Sequence, residues 1–329
     1  MQAAAREFSD IEPMMQTTEH LYGPYRWGRY DMLVLPPSFP FGGMENPQMT
    51  FLTPTVIAGD KSLVSVVAHE LAHSWSGNLV TSATWRDIWL NEGFTTYVEN
   101  RIVEAVYGKT QADEEFVVAA GELRHKMLSL SENQQRLAPA PREVGADDAL
   151  TDVAYVKGAW FLRFLEARFG RAVFDAYLRD YFDHFAFQSI TTEQMLDYLR
   201  ANLVDKHPGK VGWDQVEQWT YAPGLPESAT LPAVPAFTAI DTARAAFLEG
   251  TLGAAALPAK DWNTHEGCTF STICPRRRCW RRCRRWMRRG SSRAAAMPRS
   301  VCAGCRARSA PVTAPRGRRR APTCCASAA

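Results

Sequence analysis

His69, Glu70 and His73 fall in the run Val67-Ala68-His69-Glu70-Leu71-Ala72-His73-Ser74-Trp75, an H-E-x-x-H pentapeptide. Residues four apart on an α-helix lie about one turn apart on nearly the same face, so both imidazoles can reach one metal ion while Glu70 points beside it. A third protein ligand is offered by Glu92 in Trp89-Leu90-Asn91-Glu92-Gly93, separated from His73 by 18 intervening residues, enough chain to bring a second helix alongside the first. Two His, one Glu and a water form the ligand set of hydrolytic zinc enzymes. The chemistry this predicts is hydrolysis at one zinc ion. The metal lowers the pKa of its water towards about 7 and polarises a carbonyl, with Glu70 as general base and not as a ligand. Glu99, seven residues beyond Glu92, is expected either to hydrogen-bond the outer nitrogen of a zinc histidine or to be an ordinary surface acid.

The elements that must hold these residues can be read from periodicity. Asp31–Leu35 and Met49–Thr53 are short apolar runs stopped by Pro36 and Pro54, and they are expected as strands flanking the Gly-rich Phe41-Gly42-Gly43-Met44-Glu45-Asn46-Pro47. From Ser62 the pattern becomes helical, with Leu63, Val67, Leu71 and Trp75 at fourfold spacing and Asp60 or Ser62 as the cap. A second helix is expected from about Trp85 to Tyr107. Further helices are expected near Ala112 to Leu130, Val153 to Phe169, Ala172 to His184, Thr192 to Asn202 and Trp213 to Trp219, with 131 to 151 as the long loop. Pro223, Pro226, Pro232 and Pro235 mark a linker.

Charge divides the chain sharply. Residues 264 to 329 hold 17 Arg and one acid, Glu266, for a net +16, whereas the first 263 residues hold 21 bases and 34 acids, for −13. All eight cysteines lie between Cys268 and Cys325, so the body of the protein uses no disulfides. From Gly267 onward there is no leucine, and Ile273, Val301 and Val312 are the only aliphatic β-branched residues. Such a segment is expected to be disordered, because it cannot bury enough apolar surface to offset its ordering entropy. The simultaneous loss of leucine and lysine is what a shifted reading frame near codon 267 would produce. The competing reading is a basic tail that binds nucleic acid, with Cys279, Cys283, Cys302 and Cys305 as metal ligands. Only Cys302 and Cys305 have C-x-x-C spacing, and no nucleic-acid partner is expected. No uncharged stretch approaches the roughly 20 residues that span a bilayer, and a cytoplasmic protein is expected.

The zinc motif, its spacing to Glu92 and Gly42-Gly43-Met44-Glu45-Asn46 upstream resemble the M1 metallopeptidases. Gly23-Pro24-Tyr25, Leu35-Pro36-Pro37-Ser38-Phe39-Pro40 and Trp75-Ser76-Gly77-Asn78-Leu79-Val80 resemble most closely the leukotriene A4 hydrolase branch of that family. The resemblance reaches to about Leu225, faintly to His265. It implies a mostly helical α+β fold, the thermolysin-like zincin catalytic domain, over residues 1–225. A linker over 226–235, the start of a helical domain over 236–266 and a tail over 267–329 would follow.

The resemblance further implies an aminopeptidase acting on peptides with a free N-terminus. Pro40, Phe41, Gly42, Gly43, Met44 and Glu45 would line the substrate cleft, with Glu45 binding the α-amino group. Tyr155, in Asp152-Val153-Ala154-Tyr155-Val156-Lys157-Gly158, would donate a hydrogen bond to the tetrahedral oxyanion. A phenol with pKa near 10 remains a donor at neutral pH. The branch's second reaction, epoxide hydrolysis, is associated with an aspartate and a further tyrosine. This chain has Asp147 but Leu150 at those offsets, so peptide hydrolysis is the expected activity. Against the family's length, Met1 falls inside the catalytic domain, and an inactive fragment that keeps its zinc site is the alternative expectation.

Overall fold

The computed structural model of the protein describes residues 2–140, 145, 149–253, 256–259 and 262–272. The Arg- and Cys-rich tail beyond these residues, with the reading-frame and nucleic-acid expectations attached to it, lies outside the described residues, as does Asp147. Two compact units are present: the chain to Leu231 apart from Asp113–Val118, and a second built from Asp113–Val118 and the chain from Pro232 onward.

In the first unit, helices α1 (Gln2–Glu7) and α2 (Ile11–Tyr22) precede a three-stranded sheet of β1 (Asp31–Val34), β2 (Gly43–Met44) and β3 (Met49–Leu52) in the order β1-β3-β2. The two opening helices were not anticipated from the sequence pattern. β1 runs parallel to β3 with Asp31 opposite Met49, and β2 runs antiparallel with Gly43 opposite Leu52. Between β2 and β3, Met49 N donates to Asn46 O at 3.1 Å around Pro47 and a Gln48 with φ of 70°. Pro at the second position and positive φ at the third are the type II signature.

Helix α3 (Ser65–Ala72) carries the pentapeptide and is shorter than its sequence pattern suggests. It stops at His73, where Asn78 N donates to His73 O and the chain folds back into β4 (Val80–Ser82), which pairs with β5 (Gln188–Ile190) in parallel. α4 (Trp89–Tyr107) and α5 (Lys109–Met127) follow. A π-helical turn, Val153–Lys157, then leads into α6 (Gly158–Phe169), α7 (Arg171–His184), α8 (Thr192–Leu199) and α9 (Trp213–Tyr221). α8 starts at a capping box in which Thr191 and Gln194 satisfy each other's backbone N–H. The core is aromatic: Trp89, Phe94, Tyr97, Phe161, Phe174, Tyr181 and Phe182 are all within 1% of full burial. The Pro-rich segment is fastened rather than free. Trp160 Nε1 donates to Thr230 O and Trp219 Nε1 to Ser228 Oγ.

The second unit has its own small core. Phe237, Ile240 and Phe247 of α10 (Pro235–Glu249) cluster with Leu257 and with Phe270 of α11 (Thr264–Thr272), and Val117 and Val118 pack against them. Arg244 Nη1 donates to Thr269 O, tying α10 to α11.

Candidate metal centre

α3 is buried around its circumference from Val66 to Ala72, so an amphipathic stripe is not what defines it. What defines it is that two ring nitrogens converge. His69 Nε2 and His73 Nε2 stand 3.2 Å apart, and Glu92 Oε2 is 3.4 Å from each. Atoms bound about 2.0–2.1 Å from a tetrahedral zinc lie about 3.3–3.4 Å from one another, so the three donors already describe one face of such a site. Glu92 Oε2 is buried and has no hydrogen-bond partner among the described residues, which an ion at the centre of that face would satisfy. Charge, donor types and spacing together fit a single zinc ion.

The outer nitrogens fix the tautomers. His69 Nδ1 is 2.9 Å from Glu99 Oε2, and His73 Nδ1 is 2.9 Å from Ser76 O. A neutral imidazole that donates from Nδ1 presents the Nε2 lone pair inward, as metal ligation requires. Ser76 does more than accept. Its hydroxyl reaches Leu90 O and Asn91 O, both at 2.9 Å, while Thr95 Oγ1 donates to Ser76 O at 3.0 Å. One serine therefore bridges the turn after His73 to the first turn of α4, immediately before Glu92. Gly77 permits this turn: its φ is 106°, and a Cβ there would stand 2.7 Å from His73 Nδ1.

On its other flank α4 meets the π-helical turn. A Cβ on Gly93 would lie 2.8 Å from Gly158 Cα and 2.9 Å from Ala154 O, so the two segments touch backbone to backbone. Gly93 follows Glu92 and Gly158 lies three residues after Tyr155. The contact therefore brings the Tyr155 hydroxyl to the Glu92 carboxylate and its ring 5.9 Å from that of His69, nearly parallel.

The sheet covers the site from above. A Cβ on Gly43 would fall 2.3 Å from Glu70 Oε1, so any side chain there would displace the Glu70 carboxylate that β2 crosses. Donor atoms of Glu45, Glu70 and His73 lie within 4.8 Å of one another. Met44 is exposed on the free edge of the sheet, and Gly42 O accepts from Thr53 N. Pro40 and Phe41 stand exposed on the approach to β2, Phe41 edge-on to Phe39, and belong to the rim rather than the buried cluster.

Burial pushes the Glu70 carboxyl up to about 7, against the lowering pull of His69 and His73 and with the help of Glu45 and Glu92. Burial works on Glu92 in the same sense, but His73 and His69 outweigh it and hold that carboxyl at about 2. Tyr155 is raised, first by burial and then by the surrounding carboxylates of Glu92, Glu45 and Glu70, so its phenol keeps its proton. Two adjacent carboxyls thus differ in basicity, the lower at the metal face and the higher beside it.

The fold brings His69, His73, Glu92, Glu70, Glu99, Tyr155, Gly43 and Glu45 into one cluster. Ser76, Thr95, Asn78, Lys157 and Gly158 were not singled out from sequence. Their types announce no chemistry, and the signal that could have found them was their position within or beside the quoted motifs. Leu150 is exposed.

Residues 8–218 match the Peptidase family M1 domain. The chain is 43% identical over 231 residues to leukotriene A-4 hydrolase of Xenopus laevis, covering 69% of this chain and 37% of that protein. Leucine aminopeptidase 2 of Yarrowia lipolytica is 42% identical over 231 residues, 66% of this chain and 35% of its own length. Among solved structures, yeast LTA4 hydrolase in complex with bestatin superposes with a TM-score of 0.75 at 34% identity, over 83% of this chain and 46% of that one. An M1 zinc metallopeptidase from Deinococcus radiodurans gives a TM-score of 0.53 at 25% identity, over 69% and 46%. The chain spans a little over a third of the length of these curated relatives. With its motif, its donor geometry and the extent of the match in agreement, the chain belongs to peptidase family M1.

Proposed function

We propose that the protein is a zinc aminopeptidase that removes the N-terminal residue of peptides. The observation that carries this reading is the crossing of β2 over Glu70, which brings the Glu45 carboxylate within reach of the donors at the metal face. An α-ammonium is a compact cation, and a carboxylate held beside the hydrolytic centre limits the cut to one residue from the chain end. The exposed edge of β2 can pair with an extended peptide as an added strand.

His69, His73 and Glu92 would hold the zinc ion, which when bound polarises the scissile carbonyl and acidifies a water. Glu70, with its carboxyl near neutrality, takes the proton of the attacking water and returns it to the leaving amine. Tyr155 donates its phenolic proton in a hydrogen bond to the oxygen that becomes negative in the tetrahedral intermediate. Glu45 pairs with the substrate's free α-amino group. Among the described residues no helix is long and apolar enough to cross a membrane.

Hydrolysis of an aminoacyl arylamide, measured beside the zinc content of the same sample, tests the reading and separates it from a chain that only holds metal. Glu70→Gln should retain zinc and lose about 10²–10⁴-fold in kcat. Hydrolysis unchanged by that substitution would remove Glu70 from the mechanism.

A further inference from the structure

We infer that Asn78 is a positioning residue for Glu45, setting the distance between the amine-binding carboxylate and the metal face. The inference rests on the reading of Glu45 given above and extends it to a residue that no motif assigns.

Asn78 is bound at both ends. Its backbone N–H donates to His73 O at 3.0 Å, so its main chain is part of the turn that closes α3 behind the second histidine. Its side-chain Nδ2 donates to the backbone carbonyl of Glu45 at 2.7 Å. One residue therefore connects the backbone of a metal-ligand candidate to the backbone of the carboxylate that faces the substrate's terminus. The turn that carries Asn78 is stiff. Gly77 N donates to Val80 O at 2.8 Å, Thr81 Oγ1 donates to Gly77 O at 2.7 Å, and the left-handed backbone at Gly77 packs against the His73 ring.

Glu45 lacks such support from its own sheet. β2 pairs with β3 through Gly43 and Met44 only, so Glu45 lies one residue past the end of the ladder, where the chain bends into the Asn46–Met49 turn. A carboxylate just past the end of a two-residue edge strand has little of its own to hold it. The Asn78 amide supplies the missing restraint from the metal side of the cleft. The expected consequence is selective: losing the donor should weaken recognition of the α-ammonium and leave the metal and the acyl part of the ligand alone.

The test uses the zinc-loaded full chain and calorimetric titration with two probes, L-leucine hydroxamate and its des-amino analogue, 4-methylpentanoic hydroxamate. The ratio of their affinities in the unaltered protein measures amine recognition without requiring turnover. Asn78→Leu keeps the bulk of the side chain and removes the donor; it should lower that ratio about tenfold, as one hydrogen bond lost from a positioned group predicts, with des-amino affinity and zinc content unchanged. Asn78→Gln, which retains an amide on a longer stem, should restore part of the ratio. Placed on Glu45→Gln, Asn78→Leu should have no further effect on it.

An unchanged ratio in Asn78→Leu, or an equal weakening of both probes, overturns the inference. Asn78→Ala is the second variant should Asn78→Leu not fold. Loss of zinc and of folding in both variants would make Asn78 a support of the His73 turn alone, and that also overturns it. A ratio of one in the unaltered protein is a different failure, because it removes Glu45 as the amine site before any variant is made.

Discussion

The two flanks of α4 are held by different physics. Towards α3, the link is polar: the Ser76 hydroxyl spans Leu90 O and Asn91 O, and Ser76 O collects the donors of His73 and Thr95. Towards the π-helical turn, it is steric: Gly93 and Gly158 meet with no side chain between them. The polar flank orients the atoms that would bind metal, where angle and tautomer matter. The steric flank sets how far Tyr155 stands from them, where distance matters. Hydrogen bonds are directional and backbone contact is a hard stop, so each constraint suits what it has to fix.

The steric flank is open to test with a single methyl group. Gly158→Ala puts a methyl carbon 2.8 Å from Gly93 Cα, a backbone atom that cannot rotate away. Alanine is the better helix former by about 1 kcal/mol, but overpacking at such a contact costs about 1–3 kcal/mol or more, and the clash should win. Thermal unfolding should report a lower midpoint, and kcat should fall more than zinc content. A variant with full stability would mean that the two helices are not in hard contact.

Ser76→Ala attacks the polar flank. Its backbone carbonyl still receives His73, but the bridge to α4 is gone, and zinc affinity should drop about 10–100-fold by competition with a chelator, as it does for partners that orient ligands. Stability should change less than in Gly158→Ala. The reverse order would show that the polar link holds the fold and the glycine contact does not.

A third expectation concerns Lys157, two residues beyond Tyr155. Its side chain is fully buried, with Nζ donating to Gln135 O and Ala222 O at 2.9 Å each, so it ties the π-helical turn to two surrounding segments. Burial, with a smaller contribution from Arg136, lowers its pKa from 10.5 to about 7. The unfolded chain therefore binds more protons between these values. Folding stability from this residue is lowest below about pH 7 and rises towards pH 10.5. Chemical denaturation of the unaltered protein and of Lys157→Met across that range should show a shallower pH slope in the variant. Equal slopes would mean that the ammonium stays charged in the fold.

Much of this architecture was legible beforehand, for local reasons. His69 and His73 share a helical face because the α-helix repeats every 3.6 residues, and that needs no tertiary information. The strands at Asp31 and Met49 and the helices from Trp89 onward were marked by apolar runs and by their glycine and proline stops. The misses were also local in origin. The fourfold pattern through Trp75 suggested a longer helix, but the turn at Gly77 and Asn78 cuts α3 at its second histidine. The π-helical turn at Tyr155 has no pattern that separates it from the ordinary helix it opens.

The amino-acid sequence by itself determined the donor set, His69, His73 and Glu92 with Glu70 beside them, because residue type and helical spacing are properties of the chain. The tertiary structure alone decided why Gly43, Gly93 and Gly158 must be bare, why Ser76 lies between two helices and why Asn78 holds Glu45. These are contacts between segments that the sequence separates. A glycine or a serine announces such a contact only when the folded partner is already in place.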